Sequence, residues 1–390
     1  VLIGFFLSAL LLFTGNFFKK KNYSTLLSLL PLGILTYILT FSKRIAEGEV
    51  IYFNYDWIPA FGVSLDFRLD GLSFLFTLLI TGIGFLVFLY TSSYLKGHHF
   101  LDRFYSYLSM FMAAMLGLVL SDNLITIFVF WELTSITSFF LIGFNNESGS
   151  SRNSALIALG ITGFGGFFLL AAAVLIEQST GTYALSEILS NPEALQSSNY
   201  LSLICVFIAL CSFTKSAQFP FHFWLPGAMK APTPVSTYLH SATMVKAGVY
   251  LLFRFSPAFE GVDLWHNLLI SVGAITMIYS AYHIIFRVDL KSILAYSTIA
   301  ALGILVFLIG LGTKTAITAA AVFIVVHALY KASLFLMVGI IDHETGTRDI
   351  TKLAGLRHKM MPIFIIGIIA GAISGGVPPT LGFIGKELIY

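Results

Sequence analysis

The sequence predicts an all-α polytopic membrane protein of about twelve transmembrane helices, and three observations lead there. Of 390 residues, 57% are apolar and only 11% are charged, 22 basic and 19 acidic, with a formal net charge of +3. A soluble domain carries roughly 25% charged residues, so a chain this poor in charge has too few to cover its surface in water. The apolar residues fall in long runs bounded by polar or Gly/Pro breaks. At ~20 residues per crossing of the hydrocarbon core, the composition has room for about eleven spans.

In chain order the runs cover 1 to 17, 24 to 42, 70 to 91, 104 to 120, 122 to 144 and 154 to 176, then 201 to 219, 234 to 255, 265 to 286, 291 to 312, 315 to 341 and 361 to 390. The first opens on an apolar stretch, Val1 to Leu12, and meets Lys19-Lys20-Lys21 only afterwards. That order is the reverse of a signal peptide, so the segment stays as a span. The seventh run meets Pro220 and passes into the amphipathic Phe221-His222-Phe223-Trp224-Leu225-Pro226, and the twelfth is cut by Gly375-Gly376-Val377-Pro378-Pro379. Two broken helices in corresponding places are the mark of an inverted-repeat transporter. The stretch 50–69 alternates Ile51, Phe53, Tyr55 and then Val63, Leu65, Phe67, which predicts a small hairpin outside the membrane.

No charge run, low-complexity linker or composition shift divides residues 1–390, which read as a single membrane unit. A start at Val1 rather than Met and a stop at Tyr390 inside a helical-looking run predict a piece truncated at both ends. Cys205 and Cys211 share one apolar run, which argues against a disulfide framework or a Cys-rich metal site. No metal, cofactor or nucleic-acid partner is expected.

Lys and Arg collect on the cytoplasmic side of a membrane. With twelve spans, odd-numbered loops hold thirteen basic residues, Lys291 among them, and even-numbered loops five, Arg68, Arg254 and Lys314 among the latter. The N-terminus is therefore expected to face outward, with the Lys19 cluster inside and the 50–69 hairpin on the outer face. Four lysines remain, all within spans: Lys215, Lys246, Lys331 and Lys386. Glu132 lies in another span. A central Lys or acid costs about 2.5 to 3.5 kcal/mol on insertion scales, so four unpaired lysines would cost on the order of 10 to 14 kcal/mol, and such groups mark ion pathways.

Glu132 sits in Phe130-Trp131-Glu132-Leu133-Thr134-Ser135, on a face polar enough to hold water, and its natural partner is a buried cation. Lys215 has Ser212 and Gln218 at three-residue spacing and precedes the Pro220 break, where freed carbonyls accept a cation or water. Burial and a movable carboxylate make such a lysine a poised proton carrier. His327 and Lys331 are four apart and share a helix face. His240 and Lys246, six apart, point about 120° from each other on an ideal helix, so direct contact requires a π-bulge or a bridging water. Lys386 follows the Pro378-Pro379 break beside Glu387, as a channel-exit residue or a helix-end charge pair.

Weaker signals point to structure. Gly163-Phe164-Gly165-Gly166 lies mid-span with no strand before it and reads as helix packing, not nucleotide binding. The sequons at Asn22 and Asn146 fall in inward loops and are expected to be unused. The consecutive Asp342-His343-Glu344 cannot all turn toward one ion.

The runs around Glu132, Thr214-Lys215-Ser216-Ala217-Gln218-Phe219-Pro220, Ala231-Pro232-Thr233-Pro234 and His240-Ser241-Ala242-Thr243-Met244-Val245-Lys246 resemble the antiporter-like subunits of respiratory complex I and of Mrp cation/proton antiporters. Phe67-Arg68-Leu69-Asp70-Gly71-Leu72, Arg254-Phe255-Ser256-Pro257 and Asp342-His343-Glu344-Thr345-Gly346-Thr347-Arg348-Asp349 resemble in particular the large A-type subunits of the Mrp group. The resemblance covers nearly the whole chain and implies a fourteen-helix antiporter-like fold with inverted repeats, of which about twelve spans are visible. It implies a proton pathway through Glu132 with Lys215 as its partner, His240 and Lys246 at the centre, His327 and Lys331 in the second half, and Lys386 at the end. Phe323 stands where the family commonly has a His one turn before His327, with a water or Thr318 as the substitute.

The function so implied is a proton-translocating subunit of a multisubunit Na⁺ (or other monovalent cation)/proton antiporter, associated with other antiporter subunits in a prokaryotic plasma membrane. The alternative is a proton-pumping subunit of complex I or of a membrane-bound hydrogenase-like complex. With no Cys₄ cluster or flavin motif, the chain is not expected to be a redox enzyme. A non-transporting scaffold is the third class.

Overall fold

A computed structural model of the chain describes residues 2–18, 23–58 and 63–389. The Lys19-Lys20-Lys21 cluster, Asn22 and the hairpin tip 59–62 lie outside the described residues. Among the described residues, seven helices are long and apolar enough to cross a bilayer alone: Gly71–Tyr94, Leu101–Leu120, Leu124–Ile142, Gly149–Thr180, Asp263–Ile284, Leu290–Leu311 and Lys314–Thr345. The other five expected spans are built from shorter pieces. They are Leu2–Phe18, a 3₁₀ turn Tyr23–Ser28 leading into Leu29–Leu39, Leu201–Lys215, the pair Thr233–Ser241 and Met244–Phe255, and the pair Met361–Gly375 and Leu381–Glu387.

The long helices start where a short polar side chain meets the first free N–H groups. Asp70 accepts from Ser73 N in a reciprocal capping box, Asn123 accepts from Ile125 N and Thr126 N, and Asp289 accepts from Ser292 N. Gly149–Thr180 and Lys314–Thr345 end on Gly181 and Gly346, whose φ values of 77° and 70° suit a residue without a Cβ.

The breaks are more numerous than the sequence suggests. Leu201–Lys215 stops at its own lysine, and Ala217 follows at φ 49°, a left-handed conformation that costs an L-residue roughly 1–2 kcal/mol. Residues 221–230 then fold back as short helical turns. The run expected as one span from 234 to 255 is divided at Ala242-Thr243, where Thr243 leaves the helical region at φ −126°, ψ −100°. Its hydroxyl donates to Tyr238 O at 2.6 Å, so the break satisfies a carbonyl internally.

Residues Ile51–Phe53 pair antiparallel with Phe67–Leu69, in the register Ile51 to Leu69 and Phe53 to Phe67, and Asp56–Ile58 pairs with Val63–Ser64. Phe67 also bridges to Ser121, which ties this hairpin to the start of the Glu132 helix. Helices Asp263–Ile284 and Leu290–Leu311 pack through small residues: a Cβ at Gly273 would press on Gly303 O at 2.8 Å, and one at Gly303 on Gly273 O at 2.9 Å.

Candidate functional site

Lys215 is fully buried at the end of its helix. Its Nζ donates to Trp131 O at 3.1 Å and to Ser135 Oγ at 2.7 Å, and lies 5.0 Å from the Trp131 ring centroid. Trp224 pins this helix end by donating from Nε1 to Thr214 O at 2.9 Å. The expected Glu132–Lys215 ion pair is not formed. The two groups are within electrostatic reach, but among the described residues no ion pair joins them. The amine instead rests on the backbone and a serine of the helix that carries Glu132.

Glu132 Oε1 is buried without a hydrogen-bond partner, and the glycine run opposite makes room for it. A Cβ at Gly166 would collide with Glu132 Oε1, one at Gly165 with Thr214 Oγ1, and one at Gly163 would lie 3.7 Å from Glu132 Oε2. The run therefore provides close helix packing, as expected, and also seats the carboxylate. Gly166→Ala is expected to displace Glu132 and to destabilise the protein by about 1–3 kcal/mol, the cost of overpacking, while Gly160→Ala, where a Cβ meets nothing within 4 Å, leaves stability unchanged. Thermal unfolding of the two variants in detergent checks this.

Gly248 brings the Lys246 half-helix onto the end of the Lys215 helix. A Cβ at Gly248 would strike Ser212 O and Ser216 Oγ. Lys246 is fully buried, and its Nζ crosses to the next helix and donates to Ile324 O at 3.0 Å. His240 lies on the other side of the Ala242-Thr243 break, its ring 6.3 Å from Trp224 and 6.1 Å from Phe335. Neither of its ring nitrogens has a hydrogen-bond partner among the described residues. The break replaces the 120° separation of a continuous helix, so no π-bulge is involved.

One turn beyond Ile324, His327 is fully buried with both ring nitrogens unpartnered, within electrostatic reach of Lys246 and Lys331. Lys331 Nζ donates to Leu294 O at 3.3 Å and makes a short hydrogen bond to Ser297 Oγ. A carbonyl and a serine of the neighbouring helix thus receive Lys331 as they receive Lys215. Lys331 and Lys386 both line a cavity of about 250 Å³ together with Ser297, Tyr330, Ser374 and Phe323. Lys386 is exposed and its Nζ lies 3.4 Å from Gly375 O, across the Pro378-Pro379 break. Phe323 therefore walls this cavity. Thr318 does not line it; its side chain is exposed and donates to Lys314 O at 2.9 Å, so it is not a substitute for the missing His.

Two residues assigned to loops by the charge sort are buried. Lys291, at 2% exposure, donates to Ala231 O at 3.0 Å beneath the folded-back 221–230 segment, within electrostatic reach of His240. Arg254, at 6% exposure, makes a bidentate pair with Asp70 at 2.5 and 2.7 Å and donates from Nε to Tyr250 Oη at 2.8 Å. Arg68 joins this cluster at 3.1 Å from Asp70 and 3.8 Å from Asp122. Burial pushes the Asp70 carboxyl up, but the Arg254 hydrogen bonds and charge outweigh it and hold the group well below the usual carboxylate range. The Asp342-His343-Glu344 run is exposed or half-buried; His343 pairs with Glu344 at 3.2 Å and Asp342 lies 4.0 Å from Arg348.

Broken spans around a row of buried amines and imidazoles define an antiporter-like membrane subunit. The chain belongs to the family described as NADH:quinone oxidoreductase/Mrp antiporter, TM, whose profile matches residues 121–390. Residues 57–105 match the profile described as NADH-Ubiquinone oxidoreductase (complex I), chain 5 N-terminus. The A-type subunit of the Na(+)/H(+) antiporter of Alkalihalophilus pseudofirmus is 43% identical over 401 residues, covering 99% of this chain and 50% of that protein. A probable A/B-type subunit of a K(+)/H(+) antiporter from Rhizobium meliloti is 47% identical over 346 residues, covering 89% of this chain and 35% of that protein. The chain thus spans half or less of the length of these relatives. In the solved Mrp complex of a Dietzia species, one chain superposes with a TM-score of 0.91 at 42% identity, covering 99% of this chain and 42% of that one. A chain of an archaeal membrane-bound sulfane sulfur reductase shares the fold, with a TM-score of 0.85 at 23% identity, over 99% of this chain and 80% of that one.

Proposed function

We propose that this chain is the proton-translocating part of an A-type subunit of a multisubunit Na⁺ (or other monovalent cation)/proton antiporter in a prokaryotic plasma membrane. The proton moves along Glu132, Lys215, His240, Lys246, His327, Lys331 and Lys386, and the cation crosses in association with further subunits. The observation that carries this reading is the line of buried amines, each donating to a backbone carbonyl of an adjacent helix. Unpartnered imidazoles at His240 and His327 lie among them. Buried ionisable groups in such a row are costly to keep and serve ion movement. The N-terminus and the 50–69 hairpin face outward in this reading, following the bias of basic residues toward odd-numbered loops.

Lys215→Ala in the full-length protein tests it. Cation-driven proton movement in everted vesicles is expected to fall roughly 10²-fold or more, the scale of a lost proton-transfer group, at unchanged expression. Full activity would sink the assignment. The alternative, a redox-driven pump subunit, draws on the match of residues 57–105 to the family described as NADH-Ubiquinone oxidoreductase (complex I), chain 5 N-terminus. Gene neighbours separate the two, because small antiporter subunits accompany the first and hydrophilic iron-sulfur subunits the second. A mere scaffold would tolerate Glu132→Ala when complementing a sodium-sensitive strain.

A further inference from the structure

A cavity of about 380 Å³ lies beside the Lys314–Thr345 helix, against the Met361–Gly375 span and the segment 350–360 that leads into it. No polar side chain lines it among the described residues. The segment 350–360 passes it as a strap of two short turns, Ile350–Lys352 and Leu356–Lys359. Between them Gly355 stands at φ 71°, a left-handed position that suits a residue without a Cβ. Backbone bonds from Ile350 N to Val288 O at 3.0 Å and from Leu290 N to Arg348 O at 2.9 Å pin the start of the strap. Ile350, Leu353 and Leu356, at three-residue spacing, line the cavity, while Lys352, Arg357, His358 and Lys359 beside them are exposed. The strap is thus apolar on its cavity side and basic on its open side.

The acids at this end of the molecule are matched elsewhere. Asp289 and Asp342 face Arg348 at 3.0 and 4.0 Å, Glu344 faces His343 at 3.2 Å, and Asp349 faces Lys352 at 3.8 Å. No ion pair takes Arg357, His358 or Lys359 among the described residues, and no acid occurs between Asp349 and Glu387. An uncompensated positive charge therefore stands beside an apolar cavity. The depths agree with this pairing. Arg357, His358 and Lys359 immediately precede the span that begins at Met361, at the level of lipid headgroups, and at 1.5 Å rise per residue Gly367 and Ile368 lie about 10 Å further in, among the acyl chains. Basic clusters at the end of a membrane helix attract anionic lipid. A helix, ~10–12 Å across, would need roughly 800 Å³ to sink to that depth, about twice the cavity, so the space fits a single chain rather than a helix.

We propose that this cavity takes one acyl chain of an anionic glycerophospholipid whose phosphate rests against Arg357 and Lys359, the chain running past Leu356 and Phe364 to Gly367 and Ile368. The lipid ties the strap to the span it precedes and, through the backbone bonds at Val288 and Leu290, to the start of the Leu290–Leu311 helix. Such a site depends on the chain spanning a bilayer and not on the proton pathway.

The test uses the full-length protein in its assembled complex, in phosphatidylcholine nanodiscs with an equal trace of either phosphatidylglycerol or phosphatidylcholine carrying a diazirine midway along one chain. Photolysis and peptide mapping are expected to place adducts on residues 337–341 and 363–368, with a yield roughly tenfold higher from the anionic tracer. Arg357→Gln with Lys359→Gln changes two exposed side chains, where substitutions have little effect on folding. It is expected to bring the anionic tracer down to the level of the neutral one, whose labelling stays constant, and Arg357→Lys with Lys359→Arg, which keeps both charges, is expected to keep the excess. Equal labelling by the two tracers in the wild-type protein would mean contact with bulk lipid only and would overturn the proposal, as would an anionic excess that survives the double Gln variant. Absence of adducts from both tracers at these residues would mean that another protein segment covers the cavity, which overturns it as well.

Discussion

Replacing Lys246 with methionine is expected to abolish proton movement, by roughly 10²-fold or more, without lowering the thermal stability of the protein. The amine is fully buried and makes one hydrogen bond, to Ile324 O. Methionine fills a similar volume, and exchanging a buried ionisable group for a well-packed apolar one is often neutral or stabilising. The proposed row of proton carriers, however, would lose its member between His240 and His327. A purified Lys246→Met protein that melts at or above the wild-type temperature and is inactive in vesicles meets both halves of this expectation. A stable variant with full transport would remove Lys246 from the pathway, and a grossly destabilised one would make it a structural residue.

Asp70→Asn is expected to do the opposite, destabilising the fold strongly. Asparagine retains the capping oxygen that receives Ser73 N, so the change isolates the ion pair. It leaves Arg254, at 6% exposure, without its bidentate acceptor, and removing one partner of a buried pair costs about 3–5 kcal/mol. The pH dependence follows from the sign of the shift. With the Asp70 carboxyl held below its ordinary value, the pair's contribution is present above the unfolded carboxylate pKa and is lost only as pH falls through the lower folded value. The deficit of Asp70→Asn is therefore expected to be constant from pH ~5 to ~9, and Asp70→Asn combined with Arg254→Met is expected to recover most of it. Denaturation in detergent across that range measures this, and an unchanged melting temperature for Asp70→Asn would contradict it.

Much of the architecture is legible in composition because a bilayer leaves the chain few options. Backbone groups in hydrocarbon must be satisfied within helices, so the apolar runs and the helices coincide closely. The break at Pro220 is legible for the same reason, since proline announces the loss of a donor. The break at Ala242-Thr243 is not, because neither residue is a helix breaker and the Thr243 hydroxyl joins the Ala242 N–H in donating to the Tyr238 carbonyl, a local choice without periodicity. Glu132 and the span lysines stand out through their insertion cost. Lys291 and Arg254 sit near span ends, where charge is ordinary, and only the fold-back of residues 221–230 and the approach of Asp70 reveal their burial. The seat of Glu132 is hidden in a glycine run whose packing role alone is visible in one dimension.

On the proposed pathway, the seats of Lys215 and Lys331 have a consequence for how the row would be emptied and refilled. Each amine donates twice, to one carbonyl and one serine hydroxyl. An ammonium has three N–H donors, and the neutral amine left after a proton departs still has two. Both anchors therefore survive the loss of charge, and the third N–H, the one no anchor holds, is free to be given away. Occupancy of these lysines can change while the helices around them keep the same hydrogen bonds, so the helices need not repack each time a lysine gains or loses a proton.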